Sequence, residues 1–384
     1  MKTVLFRGPT LTQSGYGCHA RQVARWLLTK KDINLKFVTT PWGDTPWIID
    51  KAAHGGLIGE IMTRSSPPAA CDVSIQLQLP NEWDRSGLKN VGITAAVETD
   101  KCNPSWIAAC NSMDMVIVPS QHAKASLTNT GTISSKLLVV PESFNDACSL
   151  PVESLPALPK FPASFNFLVF GQLTGNNPNN DRKNTFYTIK WLCEAFKDNS
   201  DVGIVIKTNS GRNSLIDRKN TKNIFEALLR EVRKGPYPKV TLFHGDMSDH
   251  EVAALYRHPQ IKALVTLTRG EGFGLPILEA AASGLPIVAT DWSGHLDFLK
   301  KGKFVSVYYQ LGAIHPSRVD DKIFMKGARW ANPSEEDFKK RITKFHQSPS
   351  TPREWATDLQ KIINEQYSFA AICRAYDEAF KDII

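Results

Sequence analysis

The sequence has no apolar run near the roughly 18 residues that a transmembrane helix requires. Its opening, Met1 to Gly8, holds only three consecutive apolar residues, Val4, Leu5 and Phe6. That is too short for a secretory core and reads as a first strand. The seven cysteines (Cys18, Cys71, Cys102, Cys110, Cys148, Cys193 and Cys373) are odd in number and form no Cys-x-x-Cys pair. Neither a disulfide framework nor a zinc site is expected from them, and reduced thiols in a cytoplasmic setting are. The histidines show no metal-ligand spacing, no Asp-x-Asp pair occurs, and no metal site is expected. Short-period repeats and low-complexity tracts are also lacking. What remains is ordinary globular composition, 42% apolar and 22% charged over 384 residues. Such a chain is long enough for two domains, at most three, and needs no staple.

The formal net charge is +8. Residues 1–160 carry +2 of it and residues 161–384 carry +6. Residues 181–240 alone hold 13 Lys/Arg against 7 Asp/Glu. A cluster of this kind suits a phosphate-bearing ligand or a nucleic acid, or it is a solvated basic face.

Apolar runs alternate with helical patterns along the first half. The runs are Val4–Phe6, Leu35–Val38, Val73–Leu79, Val91–Val97, Met115–Val118 and Leu137–Val140, with helices expected at 17–29 and 121–129. A proline-rich stretch, 145–165, reads as a linker. A second alternating series follows, with strands near 167–170, 203–206, 240–243, 263–267, 286–289 and 304–307. Helices are expected at 185–196, 224–233, 249–256 and 276–283, and again at 335–345, 353–367 and 369–380. Alternation of this kind implies two doubly wound α/β domains with parallel sheets, whose ligands bind at the carboxyl ends of the strands. The expected division is 1–150, 151–365, and a terminal helix in 366–384 that packs back on the first domain.

The most informative segment is Arg269-Gly-Glu271-Gly-Phe273-Gly274-Leu275-Pro-Ile-Leu-Glu279-Ala, directly after a predicted strand. Gly272 and Gly274 permit a sharp turn and close backbone approach to a ligand, and Pro276 suits the first turn of a helix. Free N–H groups at a helix start attract an anion such as a diphosphate. Glu271 falls in the loop and Glu279 about a turn into the helix, so both can accept hydrogen bonds from the hydroxyls of one ligand.

This segment resembles the signature of family 4 glycosyltransferases, a Glu-x7-Glu pair within E-G-F-G-L-P-x-L-E-A. The resemblance implies the GT-B fold, two Rossmann-like doubly wound domains facing across a cleft. It also implies a nucleotide-sugar donor as co-substrate, no further cofactor, no metal, and retention at the anomeric carbon. Carried over to this sequence, Glu279 would hold the ribose hydroxyls and Glu271 the hydroxyls of the donor sugar. The N–H groups of Phe273, Gly274 and Leu275 would meet the sugar and diphosphate, and Arg269 would shape the phosphate pocket.

Four weaker matches extend the resemblance over about residues 1–300. Phe170-Gly171-Gln172 and Asp181-Arg182-Lys183-Asn184 stand where the family has a glycine-arginine pair followed by a lysine. Lys183 matches the lysine, but Gln172 replaces the arginine, so Arg182 is the substitute cation for the diphosphate, unless both cations belong to a solvated helix start. Gly15 and Gly17 follow the first strand, in the place of the family's glycine-rich loop beside the donor phosphate. Glu98, in Thr94-Ala-Ala-Val-Glu98-Thr-Asp100 at an expected strand end, either touches the sugar, binds the acceptor or is structural. His244, after another strand, either lies against the nucleotide base or is an ordinary loop histidine.

The expected reaction is transfer of a hexosyl or pentosyl group from a nucleotide sugar to an acceptor hydroxyl, donor on the second domain and acceptor on the first. Three acceptor classes stay open: a lipid or glycan, a protein or small molecule, and hydroxymethylated pyrimidine in DNA. The last follows from the E-T-D block and short strands, which look like glycosyltransferases of large DNA phages and would place the protein in a host cytoplasm. A nucleotide-sugar epimerase and a non-catalytic nucleotide-sugar-binding protein are the readings from other classes.

Overall fold

The computed structural model describes residues 1–66, 68–175 and 177–384, which form two compact units. The first comprises Met1–Ser143, Asp321–Met325 and Phe369–Ile384, and the second comprises Phe144–Asp320 and Lys326–Ser368.

The first unit begins with β1 (Lys2–Gly8), α1 (Gly15–Leu28) and β2 (Ile33–Thr39), then α2 (Leu57–Thr63), β3 (Cys71–Leu77) and β4 (Gly87–Ile93). It continues with α3 (Ser105–Ser112), β5 (Met115–Val118), α4 (Gln121–Thr128) and β6 (Lys136–Val139). The six strands form one parallel sheet in the order β2-β1-β3-β4-β5-β6. Strands β1, β3 and β5 are buried over most of their length, as befits a parallel sheet covered on both faces. Helix α1 starts where the Ser14 side chain accepts the Gly17 N–H, and it buries Ala20, Val23, Ala24 and Leu27 in the core with Val4 and Phe6.

The second unit opens with β7 (Phe165–Phe170), α5 (Thr185–Ala195), β8 (Val202–Thr208), α6 (Leu215–Val232), β9 (Lys239–His244) and α7 (Asp249–Tyr256). Next come β10 (Ile261–Thr266), α8 (Leu275–Ala282), β11 (Ile287–Thr290), α9 (Leu296–Leu299) and β12 (Val305–Val307). These strands form a second parallel six-stranded sheet, β12-β11-β10-β7-β8-β9. An antiparallel hairpin, β13 (Tyr309–Ala313) and β14 (Arg329–Pro333), precedes α10 (Glu335–Gln347) and α11 (Ser350–Gln366). The last helix, α12 (Phe369–Phe380), belongs to the first unit, where Tyr376 stacks on Trp26 at 5.0 Å and Asp377 accepts the Trp26 indole N–H at 2.7 Å.

Two local differences from the sequence reading matter. Helix α6 begins at Leu215 rather than 224, because Ser214 and Asp217 form a capping box ahead of its apolar face. Strand β4 ends at Ile93, so Glu98 lies in the following loop rather than on a strand end; Ala96 there holds φ +51, a left-handed conformation that a strand does not allow.

Strand order fixes where each sheet opens. In the second sheet, β7 connects outward to β8 on one side, while β10 and the strands after it lie on the other. The loops that leave β7 and β10 therefore diverge at a topological switch point, where open parallel sheets form ligand crevices. In the first sheet the corresponding point lies between β1 and β3.

Candidate functional site

The switch point between β7 and β10 brings together residues that are far apart in sequence. The loop after β7 delivers Arg182 and Lys183, and the loop after β10 delivers Glu271. Lys183 Nζ donates to Glu271 Oε1 at 2.6 Å, and Arg182 Nη1 donates to Glu271 Oε2 at 3.2 Å and to the Gly270 carbonyl at 2.6 Å. Glu271 is 6% exposed. Burial alone would raise its carboxyl, but Lys183 and then Arg182 outweigh that and hold it at about 2. At neutral pH it is an anion, able only to accept hydrogen bonds.

Each loop is locked from behind. The Asp181 carboxylate accepts the Thr174 N–H and hydroxyl at 3.0 and 2.7 Å and the Thr185 N–H at 2.7 Å, which folds the β7–α5 loop over itself. Asn184 takes φ +55 at the start of α5, and its buried side-chain amide has no hydrogen-bond partner among the described residues. On the other loop, the Glu271 N–H donates to Ser293 Oγ at 2.9 Å and the Gly294 N–H to the Glu271 carbonyl at 2.9 Å. Gly294 must be glycine there, since a Cβ would stand 2.2 Å from the Gly272 carbonyl oxygen. Gly274 caps α8 at φ +102; Pro276 has no N–H and the Ile277 N–H donates to the Gly274 carbonyl at 2.9 Å, so in the first turn it is the Leu275 N–H that lacks an intrahelical acceptor. Phe273 is buried in the core, leaving its backbone as the available part.

Arg269 ties the loop ahead of Glu271 to two other segments. Its guanidinium is buried, donates to the Asp181 carbonyl at 3.3 Å and to Asn332 Oδ1, and lies over the Trp330 ring at 5.6 Å. The hairpin β13–β14 thus braces the loop ahead of Glu271. Ser317 of the same insertion accepts from Asn180 Nδ2 at 2.8 Å, reaching the β7–α5 loop as well.

Glu279 projects from the second turn of α8 beside Tyr256, whose hydroxyl donates to Oε2 at 3.4 Å. Its surface is partly exposed, yet burial first and the Asp249 carboxylate second push its carboxyl up to about 8. The two glutamates that a linear motif makes look alike are thus shifted in opposite directions, Glu271 down and Glu279 up.

Farther along the same sheet edge, His244 ends β9, half-buried, with Nε2 3.3 Å from Ser210 Oγ. Burial and then the charge of Lys207 lower its pKa. Gln172 is exposed and donates to Asn209 Oδ1 at 2.8 Å. Lys207 was not singled out by the sequence reading. It is 6% exposed at the end of β8, donates to the Gly245 carbonyl at 2.6 Å and lies 5.7 Å from the Phe170 ring. A lysine in an otherwise buried parallel strand, Val202-Gly-Ile-Val-Ile-Lys207, was the available signal.

Gly15, Gly17 and Glu98 lie in the first unit. Gly17 is obligatory, because a Cβ would meet the Thr12 carbonyl oxygen at 2.0 Å, whereas Gly15 has open space around it. Glu98 is half-buried, and its charge is felt by the Tyr16 phenol.

Residues 222–362 match the family model described as glycosyl transferases group 1. A segment of 143 residues is 27% identical to the serotype-specific mannosyltransferase WbdA of Escherichia coli, covering 37% of this chain and 15% of that protein. Among solved structures, the sucrose-phosphate synthase of Thermosynechococcus elongatus superposes with a TM-score of 0.63 at 13% identity, over 100% of this chain and 99% of that one. Anabaena HepE, solved with UDP and glucose, gives 0.61 at 12% identity over the whole of both chains. A glycosyltransferase from Rickettsia africae gives 0.64 at 13% identity, over 100% of this chain and 98% of that one. The fold is GT-B, two Rossmann-like α/β units, and the similarities together support a glycosyltransferase.

Proposed function

We propose that the protein is a retaining glycosyltransferase of the family 4 type, whose second unit holds a nucleoside-diphosphate sugar. The observation that carries this is the Arg182–Lys183–Glu271 cluster at the switch point, with two cations and one ionised carboxylate. A diphosphate brought to Arg182 and Lys183 meets charge of the right sign without a divalent ion, and the N–H groups of Phe273, Gly274 and Leu275 add a helix start to it. The buried Asn184 amide beside Lys183 is a further donor and acceptor that a ligand can satisfy. Glu271 then accepts hydroxyls of the transferred sugar, and Glu279 the ribose hydroxyls, while His244 lies toward the base.

In the reaction the acceptor oxygen bonds to the anomeric carbon as the bond from that carbon to the phosphate oxygen breaks. Attack comes from the face that the diphosphate leaves, so configuration is kept, and the leaving phosphate oxygen takes the acceptor proton. Negative charge grows on the diphosphate in the transition state, where Arg182 and Lys183 stabilise it. No side chain acts as a covalent nucleophile.

The test is a thermal-shift series with UDP, GDP, ADP and CMP, followed by incubation with the sugar donor of whichever nucleotide binds. A ligand at 100 times its dissociation constant stabilises by about 2.7 kcal/mol. The expected result is a shift with one nucleoside diphosphate and release of that nucleotide from its sugar, with the anomeric configuration of the product kept. Epimerised donor, or binding without turnover, would replace the reading by an epimerase or a binding protein.

A further inference from the structure

The first unit carries an aromatic surface that the donor reading leaves unused. Beside its switch point, the loop after β1 and the loop after β2 are knitted together: Gln13 N–H donates to the Pro46 carbonyl at 3.0 Å, Ile48 N–H donates to the Leu11 carbonyl at 2.7 Å, and Thr12 pairs with Trp47 in an antiparallel bridge. Above this joint, the Tyr16 and Trp42 rings stack at 3.7 Å between centroids and 16° between planes. The Tyr16 hydroxyl accepts the Ala95 N–H at 3.1 Å and is bonded to Thr94 Oγ1 at 3.1 Å. The stack is therefore anchored to the left-handed turn at Ala96 that leads to Glu98. Trp42 is only half-buried, and Trp47 is 45% exposed.

The charge of this surface is distinctive. Segments 9–17, 40–50 and 94–100 contain Asp44, Asp50, Glu98 and Asp100 and no lysine or arginine; Lys51 and Lys101 stand just beyond them. Arg21, which reaches the first loop, is buried with its head on the carbonyls of Thr10 and Thr12. A phosphate backbone or an anionic membrane is repelled by such a rim. A neutral sugar ring is not: its C–H face suits an indole, and its hydroxyls donate to carboxylates.

We propose that the Trp42–Tyr16 stack, with Trp47 and Glu98, is a binding platform for a neutral pyranose, so that the acceptor is a carbohydrate rather than DNA or lipid phosphate. The inference rests on the glycosyltransferase reading for the word acceptor, but the platform binds sugar whether or not that reading holds. The ring lies on the exposed side of Trp42, whose orientation Tyr16 fixes from behind. Glu98 takes one or two hydroxyls, and Trp47 extends the apolar floor to a neighbouring residue of a glycan.

The test is saturation-transfer NMR and calorimetry on the full chain. The probes are the methyl pyranosides of glucose, mannose and galactose and their disaccharides, a duplex carrying hydroxymethylcytosine, and phosphatidylglycerol vesicles. Nucleoside-diphosphate thermal shifts are measured on the same samples. The expected result is binding of at least one pyranoside, weakened tenfold or more in Trp42→Ala, within about threefold of wild type in Trp42→Phe, with the nucleotide shift unchanged in both. Unchanged sugar binding in a folded Trp42→Ala overturns the proposal. So does sugar binding by none of the probes when the nucleotide binds, or DNA or vesicle binding that Trp42→Ala abolishes. Sugar binding without any nucleotide shift leaves the platform standing and overturns the donor reading instead.

Discussion

Lys183 Nζ lies 2.6 Å from Glu271 Oε1, although the two residues belong to loops that leave different strands of one sheet. The contact exists because β7 and β10 are neighbours whose connections diverge, so both loops rise at the same gap. It makes the carboxylate and the cations one electrostatic unit. A diphosphate held by Arg182 and Lys183, as proposed, would share them with Glu271, and any change to one of the three residues alters the other two.

That unit should be visible in acid. Glu271 falls from an ordinary 4.5 to about 2, so its folded pKa is depressed. Its contribution, on the order of 3 kcal/mol, is present above pH 4.5 and is lost as pH falls toward 2. Urea unfolding of wild type and Glu271→Gln should differ by about that amount at pH 7, with the gap narrowing as pH falls from 4.5 toward 2. A pH-independent gap would mean the ion pairs contribute nothing.

Glu279 should behave in the opposite sense. Its folded pKa, about 8, lies above its ordinary 4.5, so the folded chain holds that proton more tightly between these values. Stability therefore declines as pH rises through the window. Replacing the acid by a neutral amide removes the decline: Glu279→Gln should melt above wild type at pH 8 and close to it at pH 5. Ligand hydroxyls favour the carboxylate, so nucleotide affinity should rise with pH up to about 8, with proton release measurable by calorimetry in buffers of different ionisation enthalpy.

The two glycines of the first loop separate conformational need from mere presence. Gly17→Ala drives a Cβ against the Thr12 carbonyl and should cost about 2 kcal/mol or more. Gly15→Ala meets nothing within 4 Å and should be neutral, or stabilising by up to about 1 kcal/mol. Equal losses at both positions would contradict the structure of this loop.

The legible and illegible parts of the sequence divide along physical lines. Gly272 and Gly274 permit backbone conformations that other residues rarely adopt and Pro276 fixes its own φ, so the loop and the start of α8 could be read from residue types alone. The long parallel strands were legible because both faces are buried. The partnership of Arg182 and Lys183 with Glu271 was not, since it depends on strand order, which no local pattern encodes. The β13–β14 hairpin escaped notice because most of β13 is solvent-exposed and lacks a buried alternation, yet it holds Arg269 through Asn332 and Trp330. By composition Lys207 is one more cation in a basic stretch; its place at the end of an apolar run is the local signal, and the fold shows its charge buried at the sheet edge.

The central claim is that Arg182 and Lys183 hold the diphosphate of a nucleotide donor. Calorimetry with the best-binding nucleoside diphosphate and its monophosphate, on wild type and on Lys183→Ala, tests it most directly. The expected result is at least a tenfold preference for the diphosphate in wild type, an interaction worth about 1.4 kcal/mol or more. Lys183→Ala should lose most of that preference while binding the monophosphate as before. A diphosphate preference that survives intact in a folded Lys183→Ala, or a wild type that binds neither nucleotide, would contradict the account.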